Sequence, residues 1–337
     1  MQSQQTTAPF QASQPLVSFV ITYHEQPAVM LKKCVESITR LSLRPAEREI
    51  IVIDDGSAVS PLADLSPCAD DIVYIRTANG GVSTARNIGV RMASGTFIQF
   101  VDADDMLISN VYEHCLDIAR YGKVDMVMFG FSHASEASTE YTDGDILSGS
   151  DLMRTQNIHG AAWSYLFRRS IVGDLRFTPG VCYGEDEEFT PQLLLRAASV
   201  VCTTARAYFY RQHEASAIGA TTHAGSGAAT AIEHRLNDNR QVIFRLNRRL
   251  DTLPPSERIA LQRRVAQLSM DYLYNTIMLT RDRSQLEQRI EELRLEGLFP
   301  LPDRNYTTKY TWFRRLANSA TGRTALMLTL PLMKREA

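Results

Sequence analysis

The sequence predicts an α/β fold, a mostly parallel sheet with helices on both faces, followed by an all-helical C-terminal region. Two observations support this expectation. Between residues 16 and 131, short runs of β-branched and aromatic residues alternate with segments whose apolar residues recur at helical spacing, which is typical of a parallel sheet. From residue 228 the pattern changes, and three helices are predicted, at 228–250, 256–280 and 283–297.

The elements of the first part are predicted in order along the chain. They are strands at 16–21, 49–53, 71–75, 96–101 and 124–131, helices at about 29–41, 82–93 and 109–120, a helical piece at 160–169, a helix opening at 183–189, and two short strands at 199–202 and 207–210. We therefore divide the chain into a disordered lead at 1–15, an α/β domain at 16–218 and a helical region at 228–337.

Composition is that of a soluble globular protein, with 44% hydrophobic and 22% charged residues. The net charge of −2 hides an asymmetry: residues 1–222 contain 17 Lys and Arg against 26 Asp and Glu, and residues 223–337 contain 19 against 12. The basic second part could face anionic lipid, although a solvated helical surface is the simpler interpretation. Five dispersed cysteines without a Cys-x-x-Cys pair favour a reducing compartment over a disulfide framework or zinc site.

Neither end of the chain predicts a membrane span. Residues 1–14 lack Lys, Arg and an apolar core, which excludes a signal peptide, and no run of about 18 apolar residues occurs elsewhere. We expect a cytoplasmic protein, with peripheral contact at the inner face of the membrane as an alternative. The apolar tail at 312–334, with basic flanks, could pack against the helical region, against a second subunit or at a membrane interface.

Three of the predicted strands end at polar residues. These are Thr22-Tyr23-His24-Glu25, Asp54-Asp55-Gly56-Ser57 and Asp102-Ala103-Asp104-Asp105. Because the carboxyl ends of parallel strands share one edge of the sheet, we expect these segments to converge. Clustered carboxylates repel one another unless a cation lies between them, so Asp102 and Asp104 are candidate ligands for Mg²⁺ or Mn²⁺. A solvated acidic turn is the alternative.

Six short motifs follow one another along the chain. They are Ile21-Thr22-Tyr23, Ile53-Asp54-Asp55-Gly56-Ser57, Gly80-Gly81-Val82-Ser83-Thr84-Ala85-Arg86-Asn87, Phe100-Val101-Asp102-Ala103-Asp104-Asp105, Gly184-Glu185-Asp186 and Tyr208-Phe209-Tyr210-Arg211. In this order they resemble glycosyltransferase family 2, the inverting nucleotide-sugar transferases of GT-A fold. The resemblance covers about residues 16–218 and leaves 223–337 uncovered.

The resemblance implies a nucleotide-diphosphate sugar donor, most often a UDP-sugar, and a bound Mn²⁺ or Mg²⁺. The implied donor-binding residues are Thr22, Tyr23, Glu25, Asp54, Asp55, Gly81, Arg86, Asp102, Ala103 and Arg211. The metal would be held by Asp102 and Asp104, with His213 as a third candidate that could equally be an ordinary surface histidine. Arg86 could reach the donor or could instead hold Asp102 or Asp104 in place.

Asp186 is implied as the general base that takes the proton of the acceptor hydroxyl. Such a role requires burial or neighbouring carboxylates to raise its pKa, and Glu185 and Glu187 could contribute. Favourable interaction of acidic residues with a helix dipole is the alternative explanation of this acidic run. Trp163 and Glu185 are implied on the acceptor side, although Trp163 could equally be a core residue.

The expected function is metal-dependent, inverting transfer of a sugar to a hydroxyl of a growing polysaccharide or glycolipid, with no nucleic-acid partner. Peripheral membrane contact or self-association would fall to the C-terminal region. A nucleotidyltransferase is an alternative, but it would need a Gly-rich basic loop where Thr22-Tyr23-His24-Glu25 stands. A second alternative is a scaffold protein that binds a sugar nucleotide but has no catalytic activity. His24, Ala58 and Val59 depart from the family pattern, so the nucleoside and the sugar stay open.

Overall fold

A computed structural model describes residues 14–136, 138–212, 228–304 and 306–332. The strands in this part of the chain are β1 (Val17–Tyr23), β2 (Arg48–Asp54), β3 (Ile72–Arg76), β4 (Phe97–Asp102), β5 (Met106–Leu107), β6 (Met126–Ser132), β7 (Tyr165–Arg168) and β8 (Val200–Phe209). The helices are α1 (Ala28–Thr39), α2 (Val82–Met92), α3 (Ser109–Tyr121), α4 (Gly149–Thr155), α5 (Glu185–Leu194), α6 (Ala228–Arg249), α7 (Pro255–Thr280), α8 (Arg283–Leu295), α9 (Thr308–Ala317) and α10 (Ala320–Thr329).

The described strands form one sheet in the order β3-β2-β1-β4-β7-β6-β8-β5. β3, β2, β1 and β4 are parallel, β7 is antiparallel to both of its neighbours, and β6 pairs with β8 in parallel. Tyr23 lies opposite Asp54, and Thr22 lies opposite Asp102. The polar residues at these strand ends therefore meet at one edge of the sheet, and the predicted α/β fold is confirmed.

Apolar residues fill both faces of the sheet, which explains why β1 reads as a continuous hydrophobic run. Phe19 packs with Leu31 of α1 in the cluster on one face, and Val20 packs with Ala85 of α2 in the cluster on the other. Successive side chains of a strand point to opposite faces, so a strand covered on both sides needs apolar residues at every position. A third cluster, around Leu273 of α7, lies among the C-terminal helices.

Two local predictions are wrong. The piece at 160–169 is a short 3-10 turn, Ala162–Ser164, followed by the strand β7. Tyr165 is buried together with the rest of this short apolar run against its neighbouring strands, and such a run has no periodicity that separates strand from helix. The two strands predicted at 199–202 and 207–210 are the single strand β8, whose pairing with β6 continues through a register shift after Met128.

The three helices predicted after residue 228 are α6, α7 and α8, close to the expected bounds. The tail forms α9 and α10, from which Phe313 and Leu326 pack into the third cluster while Trp312 stays exposed. In the described ranges, no helix has both the length and the apolar character needed to cross a bilayer. The lead at 1–13 lies outside the described residues, and the division of the chain into three parts stays a prediction.

Candidate active site

A cleft of about 1030 Å³ lies at the carboxyl ends of β1 and β4. Nine residues predicted from the sequence line it: Thr22, Glu25, Arg86, Asp102, Asp104, Trp163, Glu185, Asp186 and Arg211. The ends of β1 and β4 thus form a single concave surface together with the N-terminal turn of α5, and this surface carries several carboxylates.

The guanidinium of Arg86 joins the two groups of carboxylates in this cleft. Its Nη2 donates to Asp102 Oδ1 at 3.1 Å, and its Nη1 donates to Glu185 Oε1 at 2.9 Å and to Asp186 Oδ1. The metal motif and the acidic turn, 84 residues apart between Asp102 and Asp186, therefore face each other across one side chain. Of the two roles considered for Arg86, the structure supports the one that holds Asp102.

Arg86 is held rigidly by its surroundings. It projects from α2 and is only 4% exposed, against the adjoining rings of Phe100 and Phe177, whose centroids lie 5.9 and 5.4 Å from the guanidinium carbon. An arginine on an aromatic face gains cation–π energy. Gly81 is the residue immediately before α2 and has a φ of +82°, a backbone conformation that other residues rarely adopt. The Gly-Gly turn in the sequence therefore sets the start of α2, the helix that carries Arg86.

Asp186 is fixed on both of its oxygens. Oδ1 accepts from Arg86, and Oδ2 accepts from the backbone N–H of Ala162 at 3.0 Å. Burial raises the pKa of Asp186, although the guanidinium of Arg86 and the N–H of Ala162 oppose this effect. Burial, reinforced by the charge of Asp186, raises the pKa of Glu185 to about 8. One cation thus faces several partly buried carboxyl groups, which is the environment that a carboxylate general base requires.

Replacing Glu185 by Gln is expected to flatten the dependence of stability on pH. The folded-state pKa of about 8 exceeds the ordinary value of 4.5, so the folded protein retains a proton that the unfolded chain releases. The resulting stabilisation is complete below pH 4.5 and is lost as the pH rises toward 8. Urea unfolding of metal-free protein at pH 5 and pH 8 measures it. If the free energy of unfolding falls by the same amount between pH 5 and pH 8 in the variant and in the original protein, the raised pKa of Glu185 is contradicted.

The segment after β8 is tied to the metal motif through Asp105 and Arg211. Asp105 is buried, and its Oδ1 accepts from the backbone N–H of Arg211 at 2.8 Å, while Arg211 Nε donates to the carbonyl of Asp104 at 2.8 Å. Burial, together with the charge of Asp102, raises the pKa of Asp105 to about 8. Asp105 therefore lines the cleft and also positions the segment after β8 against the metal motif.

Asp102 and Asp104 suit a divalent cation that is shared with a substrate. Asp102 is partly exposed to the cleft, and burial raises its pKa to about 6, with Asp104 adding to the effect. Among the described residues no group of three His, Cys, Asp or Glu side chains is arranged to hold a metal, and His213 lies outside them. Mg²⁺ typically takes one or two carboxylates plus substrate phosphate oxygens, so an incomplete protein site fits that chemistry.

Several predicted donor contacts lie behind the wall of the cleft. Asp54 is fully buried and accepts from the Tyr74 hydroxyl at 2.5 Å and from the Ser57 N–H at 2.9 Å. Asp55 accepts from the Gly80 N–H at 2.8 Å. The remaining predicted donor residues that do not line the cleft are Tyr23, Gly81 and Ala103. Asp54 and Asp55 shape the turns around the site, because a buried carboxylate stabilises a turn by accepting its backbone N–H groups.

Trp163 belongs both to the core and to the cleft. Its ring stacks on Tyr208, with centroids 4.3 Å apart and an interplanar angle of 11°, and it lies 5.8 Å from Tyr210. It is 8% exposed, and the exposed part faces the cleft. Trp163 therefore packs in the core and also lines the cleft, and its role on the acceptor side stays a prediction.

The four consecutive carboxylates of α5 divide into two pairs. Glu185 and Asp186 face Arg86, whereas Glu187 and Glu188 face arginines of the C-terminal helices. Arg245 of α6 binds Glu188 with two parallel bonds of 2.7 and 2.8 Å, and Arg264 of α7 pairs with Glu187. The C-terminal helices thus hold the helix that carries Asp186. Sequence reasoning missed both arginines, since nothing local marks them.

Residues 18–175 match the family model described as glycosyl transferase family 2. The uncharacterized glycosyltransferase EpsJ of Bacillus subtilis (strain 168) is 29% identical over 216 residues, which cover 59% of this chain and 62% of that protein. This chain therefore spans less than two thirds of that curated relative.

Two solved structures share the fold over most of the chain. The structure of S. aureus TarS 1-349 in complex with UDP-GlcNAc has a TM-score of 0.62 and 15% identity, covering 92% of this chain and 88% of that one. The mannosyltransferase PcManGT from Pyrobaculum calidifontis, in complex with GDP-Man and Mn²⁺, has a TM-score of 0.57 and 13% identity, covering 98% and 88%.

The fold is that of the GT-A glycosyltransferases, with a cleft at the carboxyl ends of its strands. Residues 18–175 match glycosyl transferase family 2, so the family predicted from the order of six motifs is confirmed over that part of the chain.

Proposed function

We propose that the chain is an inverting glycosyltransferase that moves a sugar from a nucleotide-diphosphate donor, a UDP-sugar, to a hydroxyl of a growing polysaccharide or glycolipid. The observation that carries this proposal is the contact of Arg86 with both Asp102 and Asp186. It brings a candidate cation site and a candidate base to one cleft, which is the arrangement that direct displacement at an anomeric carbon needs. Asp186 and the leaving diphosphate would then act on opposite sides of the transferred sugar.

Asp186 supplies the base in this proposal. Its carboxylate accepts the proton of the acceptor hydroxyl as the oxygen attacks, and the N–H of Ala162 holds the carboxylate in one orientation. Asp102 and Asp104 would hold a Mn²⁺ or Mg²⁺ ion, which when bound neutralises the negative charge of the departing diphosphate. Trp163 contributes an aromatic side chain to the cleft lining, and aromatic side chains pack against the apolar parts of a sugar.

The cysteines and the C-terminal part of the chain support a cellular setting for this activity. The described cysteines are all unpaired thiols, which supports a cytoplasmic, reducing compartment. The basic C-terminal part and the exposed Trp312 and Leu328 of the tail support peripheral contact with the inner face of a membrane, or self-association.

Replacing Asp102 and Asp104 by Ala is expected to weaken metal-dependent nucleotide binding by at least about tenfold, the effect of losing ~1.4 kcal/mol. Titration calorimetry with UDP, in Mn²⁺ and again in EDTA, measures the effect. Asp117→Ala on the exposed side of α3 is the control and should bind as the original protein does. Unchanged affinity of the double variant in Mn²⁺ would remove these residues from the metal site.

A further inference from the structure

A second cavity, of about 270 Å³, adjoins the cleft on the side of the C-terminal helices. Tyr183, Gly184 and Glu187 line both spaces, so the two are neighbours across the first turn of α5. Gly184 is the residue before α5, with a φ of +85°, and Asp186 follows two positions later. A molecule bound in this second cavity would therefore lie beside the proposed base.

The far wall of the cavity comes from α6 and α7, outside the region that matches the family model. Asn239 of α6 reaches the backbone of Gly184 so closely that a Cβ built there would lie 2.9 Å from its Oδ1. Asn275 and Asp271 of α7 also face the cavity. The C-terminal helices thus place amide and carboxylate groups in a cavity that is separated from the cleft only by the first turn of α5 and the residues just before it.

The lining combines hydrogen-bonding groups with apolar surface. The amides of Asn239 and Asn275 both donate and accept, whereas Leu268 and Val242 contribute apolar surface. A sugar ring presents hydroxyl groups around its edge and C–H groups on its faces. A site for such a ring therefore needs both hydrogen-bonding side chains and apolar side chains. The volume suits one ring rather than a longer chain.

Charge favours a neutral ligand in this cavity. Two carboxylates, Glu187 and Asp271, contribute to the lining, and Arg235 is the one cation among the described residues that line it. Asp271 Oδ1 accepts from the Tyr310 hydroxyl at 2.6 Å. Because Arg264 pairs with Glu187 and Arg235 offsets Asp271, the cavity has no net positive charge for a phosphate group, so a polyol phosphate is disfavoured. Carboxylates also accept hydrogen bonds from hydroxyl groups.

We propose that this cavity binds the terminal sugar ring of the acceptor, a neutral and hydroxyl-rich saccharide, and that α6 and α7 thereby select the acceptor. The inference rests on the proposed glycosyl transfer and adds the chemical class of the second substrate. The ring would lie between Tyr183 and the amides of Asn239 and Asn275, with the reacting hydroxyl directed past Gly184 to Asp186.

The test uses the full chain, the nucleotide sugar that it hydrolyses, and a panel of acceptors. The panel comprises methyl glycosides of glucose, galactose and N-acetylglucosamine, and ribitol phosphate oligomers. We expect transfer to at least one methyl glycoside, with a KM for that acceptor at least about tenfold higher in Asn275→Leu. The acceptor-independent hydrolysis of the donor and the KM for the donor should be unchanged.

Asn237→Leu is the matched control, because Asn237 lies on α6 outside the cavity lining and should leave the acceptor KM unchanged. If Asn275→Leu does not fold, Asn275→Ser removes the same amide and carries the same expectation. Transfer to ribitol phosphate alone, or an unchanged acceptor KM in the variants, would overturn the inference while donor hydrolysis still supports the transferase. If no nucleotide sugar is hydrolysed or transferred, the proposed function itself fails.

Discussion

Asp186→Asn is expected to lower kcat for glycosyl transfer by about 10²–10⁴-fold, the contribution of a positioned general base. Asn has the same size as Asp, and its amide oxygen can still accept from Arg86 or Ala162, but it takes no proton from an acceptor hydroxyl. The affinity for the nucleotide should change little, since Asp186 contacts Nη1 of Arg86 and Asp102 of the candidate metal site contacts Nη2. Steady-state transfer assays and calorimetry with UDP separate the two effects.

Asp174→Asn is the control for this experiment, because the Asp174 side chain is 92% exposed and pairs with Arg196 at the surface. Glu185→Gln is the comparison within the site, since Glu185 shares the guanidinium of Arg86. If Glu185→Gln abolishes transfer and Asp186→Asn does not, the base is Glu185. If neither variant lowers kcat more than Asp174→Asn does, neither carboxylate acts as the base.

The fold was predictable because its strongest signals are local. β1, β2 and β4 are short apolar runs that end at polar residues, and parallel pairing brings such ends to one edge whatever the remaining sequence is. The cleft follows from that edge. β7 was missed for the opposite reason, since four residues provide too little pattern to separate a strand from a helix.

The roles of individual carboxylates were less predictable, because their partners are distant in sequence. Glu187 pairs with Arg264, 77 residues later, and Glu188 pairs with Arg245, 57 residues later. No local rule relates these positions. Asp54 shows another limit: an Asp-Asp-Gly turn has the same sequence whether its carboxylate contacts a nucleoside or, as here, accepts from Tyr74 and its own turn.

Arg86→Met is expected to lower the free energy of unfolding by about 3–5 kcal/mol, the cost of removing one partner from a buried ionic group. Methionine keeps an unbranched apolar chain against the rings of Phe100 and Phe177, so the loss reports charge rather than packing. Without the guanidinium, the carboxyl groups of Asp102, Glu185 and Asp186 face one another unpaired. Urea unfolding at pH 7, in metal-free buffer, measures the change.

A second substitution distinguishes repulsion from a local packing defect. Adding Asp102→Asn to Arg86→Met removes one of the carboxylates that face one another at pH 7 and should restore part of the lost free energy, whereas a packing defect would not respond. Arg154→Met is the matched control: Arg154 pairs with Asp151 at the surface, and exposed pairs contribute only about 0–1 kcal/mol. If Arg86→Met costs no more than Arg154→Met, the guanidinium does not hold the acidic groups of the cleft together. Because Arg86 contacts both the candidate metal ligand and the candidate base, its loss should also lower transfer activity at temperatures where the variant remains folded.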